Sequence, residues 1–417
     1  MLQTLLAYAR GAGVDARWRV IEGDAQFFEI TKRIHNHLYG SAGDGGELGA
    51  DQRRHYESVL EPNVGKLLDE LASGDFVVLH DPQTAAMAPV LRRTGTPVVW
   101  RCHVGIDEQN EHSEKAWEFL RPYVELVDMF VFSRERFAPP WVPRERLVVI
   151  PPSIDPFSAK NEPVDVDHVR GILQFVGLLE GDGESPSTEF HRRDGSSGHF
   201  ASRVDLLGTG APIPVEATVL LQASRWDSMK DMPGVMRAFA AHLGDVEHLH
   251  LVLAGPEVSG VSDDPEAGQV LRECLDLWRG LAPTVQRRLR LVSVPMADPD
   301  EAAAIVNALQ RHAAVVAQKS LAEGFGLTVV EAMWKARPVV GSAVGGIVDQ
   351  IVDGETGLLI EPADALDEFA DAVRALVEDP ERASEMGRRG QERATEHFLG
   401  DRHLEQWAEL FLRLKPL

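Results

Sequence analysis

The sequence predicts an α/β protein built from two doubly wound domains. Short apolar runs alternate with amphipathic helical patterns over 417 residues, the signature of parallel sheets. That length exceeds one ordinary hydrophobic core and suits two. A Gly-, Ser-, Pro- and charge-rich stretch, residues 180–214, interrupts the series near its middle.

The elements follow in order. "MLQTLLAYARGAG" reads as an amphipathic helix with Leu2, Leu5, Leu6 and Ala9 on one face. "ARWRVIEG" (16–23), "DFVVLHD" (75–81), "PVVWRCHV" (97–104), "MFVFS" (129–133) and "RLVVIPPSID" (146–155) read as strands. Between them "AAMAPVLRRTG" and "KAWEFLRPYVELVD" carry helical periodicity. Trp18, Phe27 and Phe28 read as core packing rather than as sugar-stacking rings. Residues 180–214 read as a surface loop or linker, with a substrate lid as the alternative. A second strand series follows in "ATVLLQASRWD", "HLHLVLAGPE", "RLRLVSVP", "HAAVVAQKS", "RPVVGSAVGG" and "TGLLIEP". The tail "GDRHLEQWAELFLRLKPL" is a Trp- and Leu-bearing amphipathic helix. The expected domains are 1–179, an insert at 180–214, 215–395, and a terminal helix at 396–417.

Composition narrows the function. Acidic residues outnumber basic ones 65 to 42, for a formal charge of −23, which argues against general nucleic-acid binding. The two cysteines, Cys102 and Cys274, lack metal-ligand spacing, and a reducing, cytoplasmic setting is the simplest expectation. No apolar run approaches the roughly 20 residues a membrane helix needs.

Three stretches carry chemistry. "SRWDSMKD" places Arg225 and Lys230 after a buried-looking strand, where a guanidinium and an ammonium suit phosphate oxygens. The chain has only eight lysines, so Lys230 is poorly explained as solubilising charge. "LAEGFGLTVVEAMW" brackets a Gly-Phe-Gly turn with Glu323 and Glu331. Thr328 is a candidate to begin or cap the helix there, and Glu331 is expected about two turns inside it. Eight residues of helix rise about 12 Å, too loose for two carboxylates acting on one bond. Contacts to two parts of one elongated ligand fit better. Gly345–Gly346 supply another helix-entry turn, and "DGETG" (353–357) a turn between elements. In the first half, His80, Asp81, Arg101 and His103 fall near strand ends, where open α/β sheets bind ligands.

In order and spacing, "SRWDSMK" and the E-x7-E pattern "EGFGLTVVE" resemble the retaining nucleotide-sugar glycosyltransferases of family 4, which have the GT-B fold. "HDPQT", "WRCHV", "EFLRPYVE", "PPSIDPFSAKN" and "DDPEA" (263–267) are similar to trehalose glycosyltransferring synthases and the related retaining trehalose phosphorylases. The resemblance implies two Rossmann-like domains facing a cleft, with the C-terminal helix packing back toward the first. It implies that Arg225 and Lys230 hold donor phosphates. Glu331 meets the ribose, Glu323 the transferred glucose, and Gly324, Phe325, Gly326 and Leu327 line the sugar and phosphate site. His103 is implied near the transferred sugar's 6-hydroxyl; a satisfied strand-end histidine is the alternative. Asp81, Gln83, His80, Arg101 and Glu22 are acceptor-side candidates, with Lys32, His35 and Asn36 behind them.

The implied reaction moves glucose from UDP- or ADP-glucose to free glucose by front-face attack, with no cofactor, metal or protein nucleophile. The expected partners are a small-molecule sugar acceptor and a nucleotide-sugar donor, without nucleic acid or membrane, and a homodimer is allowed. Trehalose phosphorolysis and non-catalytic nucleotide-sugar binding are the competing functions, with a sugar-nucleotide epimerase behind them. Family members begin with a strand and a Gly-rich turn before the helix that "MLQTLLAYARGAG" continues. The first strand is therefore expected to be absent here and the first domain truncated, through an internal methionine start or in a degenerate binder.

Overall fold

The computed structural model describes residues 2–181, 189–208, 211–258 and 265–414. Part of "DDPEA" and part of the 180–214 insert lie outside the described residues. Two compact units form, one of Met1–Ser153 with Gly400–Leu417 and one of Ile154–Leu399. The first unit thus ends ahead of the composition shift. Residues from Ile154 onward bury Ile154, Ala159, Val169, Ile172 and Leu173 in the second unit's core.

The first unit holds a parallel sheet of β1 (Val77–His80), β2 (Val98–Cys102), β3 (Met129–Phe132) and β4 (Leu147–Val149), in that spatial order. β2 and β3 are buried on both faces, as a parallel sheet requires. One face packs Phe27, Ile34, Tyr56, Trp100, Leu120 and Phe132. The other face packs Val99, Val131 and Ile150 against Trp407 and Leu410 of the terminal helix Gly400–Leu414. That helix also meets Leu2–Gly11.

The expected strand at 16–23 does not form. Its alternation imitates a strand, but Val20 is 80% exposed, so there is no buried face to fix a register. Polar side-chain contacts hold the segment, with Glu22 N–H donating to Asn63 Oδ1 at 2.8 Å. Phe27 is buried, whereas Trp18 and Phe28 stay substantially exposed and are not core residues.

The second unit has a seven-stranded sheet. Its members are β7 (Asp205–Leu207), β8 (Thr218–Ala223), β9 (Leu249–Pro256), β10 (Leu289–Val294), β11 (Val315–Gln318), β12 (Val339–Ser342) and β13 (Leu358–Ile360). The order is β13-β12-β11-β8-β9-β10-β7, all parallel except β7 on the edge. The six strands expected after the insert all form. The order reverses between β8 and β11, and ligands of open sheets bind beyond the strand ends at such a switch point.

The described part of the insert is more than a linker. It contributes β7 and a hairpin of β5 (Glu189–His191) and β6 (Ser197–His199). Phe190 and Phe200 are buried with ring centroids 5.1 Å apart. Glu301 Oε1 accepts from the backbone N–H groups of Ala201 and Ser202, each at 2.7 Å. These anchors are too far away in sequence for local composition to reveal.

Trp407 is 4% exposed and donates from Nε1 to His403 Nε2 at 3.1 Å. Trp407→Ala should cost about 3–5 kcal/mol of stability, read from urea unfolding, because the cavity cannot close under a rigid sheet.

Candidate active site

In the second unit, the site grows from the ends of β8 and β11. After β8 the chain turns through Ser224–Asp231, and Trp226 pins the turn by burial and by Nε1 donation to the Pro256 carbonyl at 2.9 Å. Arg225 is left largely exposed, touching Asp227 Oδ2 at 3.1 Å. Lys230 Nζ lies 2.6 Å from Glu323 Oε2 in a mostly buried ion pair. Ser320 Oγ at 3.3 Å and Gln318 Nε2 at 3.4 Å reach the same oxygen.

Beneath this pair lies a scaffold that the sequence did not advertise. Gln222, fully buried on β8, donates Nε2 to the Lys230 carbonyl at 2.6 Å and accepts from the Lys319 N–H at 2.9 Å. One side chain therefore ties both loops together. The fully buried Lys319 ammonium pairs with Asp231. Asp231 has φ +44 and caps the helix Met232–His242 by accepting from Gly234 N–H at 3.0 Å. A non-glycine residue in that region is strained and persists only where its surroundings fix it. The signal available in the sequence was the scarcity of lysine, which singles out Lys319 as it does Lys230.

Glu323, Gly324 and Phe325 precede the helix Leu327–Trp334, whose N-cap is Gly326 at φ +86. Thr328 is inside the helix and does not cap it; its Oγ1 faces the Ala223 carbonyl at 3.5 Å. Because the helix begins only at Leu327, Glu331 sits one turn in rather than two. The turn rests on Gly345, where an added Cβ would stand 1.6 Å from the Glu323 carbonyl oxygen. Only glycine allows that approach.

Glu331 is 4% exposed. Lys160 Nζ lies 2.9 Å from its Oε2 as an ion pair without hydrogen-bond alignment. Lys335, one turn on, donates to the Glu331 carbonyl at 3.1 Å and to Asn161 Oδ1 at 2.9 Å. Burial pushes the Lys335 ammonium well below the usual lysine range, against the pull of Glu331. Lys160, Asn161 and Lys335 were not anticipated, since their meeting depends on a loop and a helix distant in sequence.

In the first unit, His80, Asp81, Arg101 and His103 converge at the ends of β1 and β2, where His80 pairs in register with Arg101. Asp81 has φ +59. Its Oδ1 accepts from the His103 backbone N–H at 2.8 Å, and its Oδ2 lies 2.9 Å from His103 Nδ1. Arg101 has no exposed surface; it donates Nε to His103 Nε2 at 2.9 Å and Nη1 to the Ile150 carbonyl at 2.7 Å. His80 stacks on His103 with centroids 5.6 Å apart and 12° between planes. Gln83 lies in the adjoining turn Asp81–Thr84. Glu22 does not join this cluster: it is exposed and paired with Lys66 Nζ at 2.8 Å.

Burial opposes ionisation of Asp81, but the hydrogen bonds of the His103 ring and backbone N–H hold its carboxyl below the usual aspartate range. Burial lowers His80 to about 4. Burial likewise lowers Arg101 to about 10, still a cation at neutral pH. Behind the cluster, His403 Nδ1 meets Ser153 Oγ at 2.9 Å, and burial followed by the charge of Arg101 lowers it to about 3.

Among the described residues, no group of three or more His, Cys, Asp or Glu could hold a metal ion, and no helix is long and apolar enough to cross a membrane. Both cysteines are free and buried.

Comparison with known proteins assigns the family. Residues 1–139 match the model of the trehalose synthase N-terminal domain, and residues 294–393 match glycosyl transferases group 1. A trehalose synthase of Pyrococcus horikoshii is 34% identical over 410 residues, covering 98% of this chain and 85% of that protein. This chain belongs to the trehalose synthase family. As a member of the trehalose synthase family it is a glycosyltransferase, and its chemistry is trehalose-related glycosyl transfer. The fold is shared with the trehalose-6-phosphate synthase OtsA, at TM-score 0.70 and 14% identity over 100% of this chain and 95% of that one. It is shared too with HepE of Anabaena in complex with UDP-glucose, at TM-score 0.60 and 16% identity over 95% and 98%. Both solved structures match the expected GT-B architecture.

The titration of His403 fixes the sign of a pH effect. Above about pH 6.5 its ring is neutral folded or unfolded; below it the unfolded chain gains a proton that the folded state refuses. Stability therefore falls with pH from there toward the folded value of about 3. His403→Gln should flatten this slope, measured as the denaturation midpoint between about pH 7 and pH 4 against the parent protein.

Proposed function

We propose that the chain transfers glucose, with retention, from a nucleoside-diphosphate glucose to free glucose, forming trehalose. The observation that carries this reading is the Lys230–Glu323 pair beyond β8 and β11, with Arg225 exposed on the same loop as Lys230. A cation and a carboxylate side by side suit a ligand that is anionic at one end and hydroxylated at the other. Arg225 and Lys230 take the diphosphate and stabilise the charge developing on it as the bond to glucose breaks. Backbone groups of Gly324, Phe325, Gly326 and Leu327 flank the phosphate and sugar. Glu323 then accepts from glucose hydroxyls, and Glu331 from the ribose.

We assign His103 to the transferred sugar and His80, Asp81, Gln83 and Arg101 to the acceptor, with Asp81 and Arg101 acting through His103. The acceptor oxygen bonds to the anomeric carbon on the face the phosphate leaves. The carbon–phosphate oxygen bond breaks, and the acceptor's proton passes to the departing phosphate. The balance needs no protein nucleophile, and the chain takes no cofactor beyond its substrates. The name of the Pyrococcus relative and the UDP-glucose held by HepE support this choice of product and donor class. A cytoplasmic enzyme fits a nucleotide-activated donor.

The test incubates the protein with glucose and each nucleotide-glucose, and separately with trehalose and phosphate. Disaccharide in the first incubation is expected; glucose 1-phosphate in the second alone would make it a phosphorylase, and no product in either a binder. Glu323→Gln should lower kcat by about 10²–10³-fold with a smaller change in donor affinity, while Lys230→Ala should chiefly weaken donor binding. Unchanged transfer in both variants would contradict the assignment.

A further inference from the structure

His103 has no free ring nitrogen. Asp81 Oδ2 lies 2.9 Å from Nδ1, and Arg101 Nε lies 2.9 Å from Nε2. Arginine is a donor only, so a ring nitrogen facing it has to be an acceptor. Asp81 is a carboxylate and acceptor only, so the nitrogen facing it has to carry the proton. The two partners together admit one form of the ring, the neutral imidazole with its proton on Nδ1.

We propose that Arg101 is a positioning residue that locks His103 in this neutral tautomer, so that the imidazole enters the reaction as an acceptor at Nε2 and never as a cation. The inference rests on the proposed role of this cluster in glycosyl transfer, but the ring state itself does not depend on any substrate.

The surroundings enforce the lock. Arg101 has no exposed surface and is anchored through Nη1 to the Ile150 carbonyl, which holds the guanidinium beside the ring. Its Nη2 is buried without a partner, a cost the fold carries to keep the guanidinium at this place. Trp407 lies beneath, its ring centroid 5.9 Å from the guanidinium carbon. Asp81 is held at φ +59, strained for a residue with a side chain, while both its oxygens serve His103.

The titratable and charged groups near the ring are Asp81 and His80 from the end of β1, Arg101 from β2 and His403 from the terminal helix. Asp81 alone favours an imidazolium. Arg101 opposes it directly, because a proton on Nε2 would face an N–H. His80 stacks flat on the ring and is itself kept neutral by burial. A neutral acceptor at Nε2 suits a sugar hydroxyl that displaces the Arg101 hydrogen bond; an imidazolium could only donate.

The experiment is long-range proton–nitrogen NMR of the intact protein without substrate, with His103 assigned by its loss in H103N. The expected spectrum, recorded at about pH 8, is the neutral Nδ1–H tautomer. An imidazolium, or a proton on Nε2, would overturn the proposal whatever reaction the enzyme catalyses. In R101Q, which removes the donor facing Nε2, part of the population should carry the proton on Nε2, and kcat should fall about tenfold. Nucleoside-diphosphate affinity should stay unchanged in that variant, because the donor phosphate groups belong to the other unit. R101K, which keeps a cation but loses the fork, should show a smaller change in the same direction. If R101Q does not fold, the parent spectrum alone decides. If R101Q folds and its ring spectrum matches the parent, the lock does not exist.

Discussion

The second unit is organised around one short ion pair, Lys230 with Glu323 at 2.6 Å. Two loops from different strands must arrive in register for it to form, and nearly every unusual feature nearby serves that arrival. Gln222 ties the loops from below. Lys319 and Asp231 neutralise one another under them. Glycines 345 and 346 let the Glu323 turn lie directly on the next loop. A mostly buried pair of this kind adds little stability beyond a well-packed apolar alternative. What it provides is position: a cation and a carboxylate fixed a hydrogen bond apart.

The first unit solves a similar problem by other means. Its polar cluster is held by hydrogen-bond complementarity, with Asp81 and Arg101 gripping opposite edges of His103. The terminal helix supports it from behind through Trp407 and His403. The return of the chain's end to its first unit is thus part of the site's construction as well as of its stability.

Much of this was legible in the sequence, for physical reasons. Buried parallel strands leave continuous apolar runs, so β1 to β4 and the six parallel strands of the second sheet could be read directly. The phosphate-suited loop and the two glutamates stood out because arginine, lysine, glycine and glutamate recur there in a fixed spacing. The segment at 16–23 misled because alternation needs a neighbouring strand, which no local pattern can supply. The insert misled in the opposite way: Phe190, Phe200 and the Glu301 carboxylate order it from a distance. Arg101 and Asp81 read from the sequence as acceptor contacts; their shared hydrogen bonding to His103, with Arg101 fully buried, depends on the folded strand ends and is invisible in the linear chain. Gln222, Lys160 and Lys335 act through convergence of distant segments, which a linear reading does not see.

The most direct measurement is the separation of Lys230 Nζ and Glu323 Oε2 in a crystal structure of the protein bound to a nucleoside-diphosphate glucose. The account predicts that donor binding divides the pair, moving Lys230 onto a phosphate oxygen and Glu323 onto a glucose hydroxyl, with the two more than about 3.5 Å apart. Donor bound with the pair intact at its present 2.6 Å would contradict it.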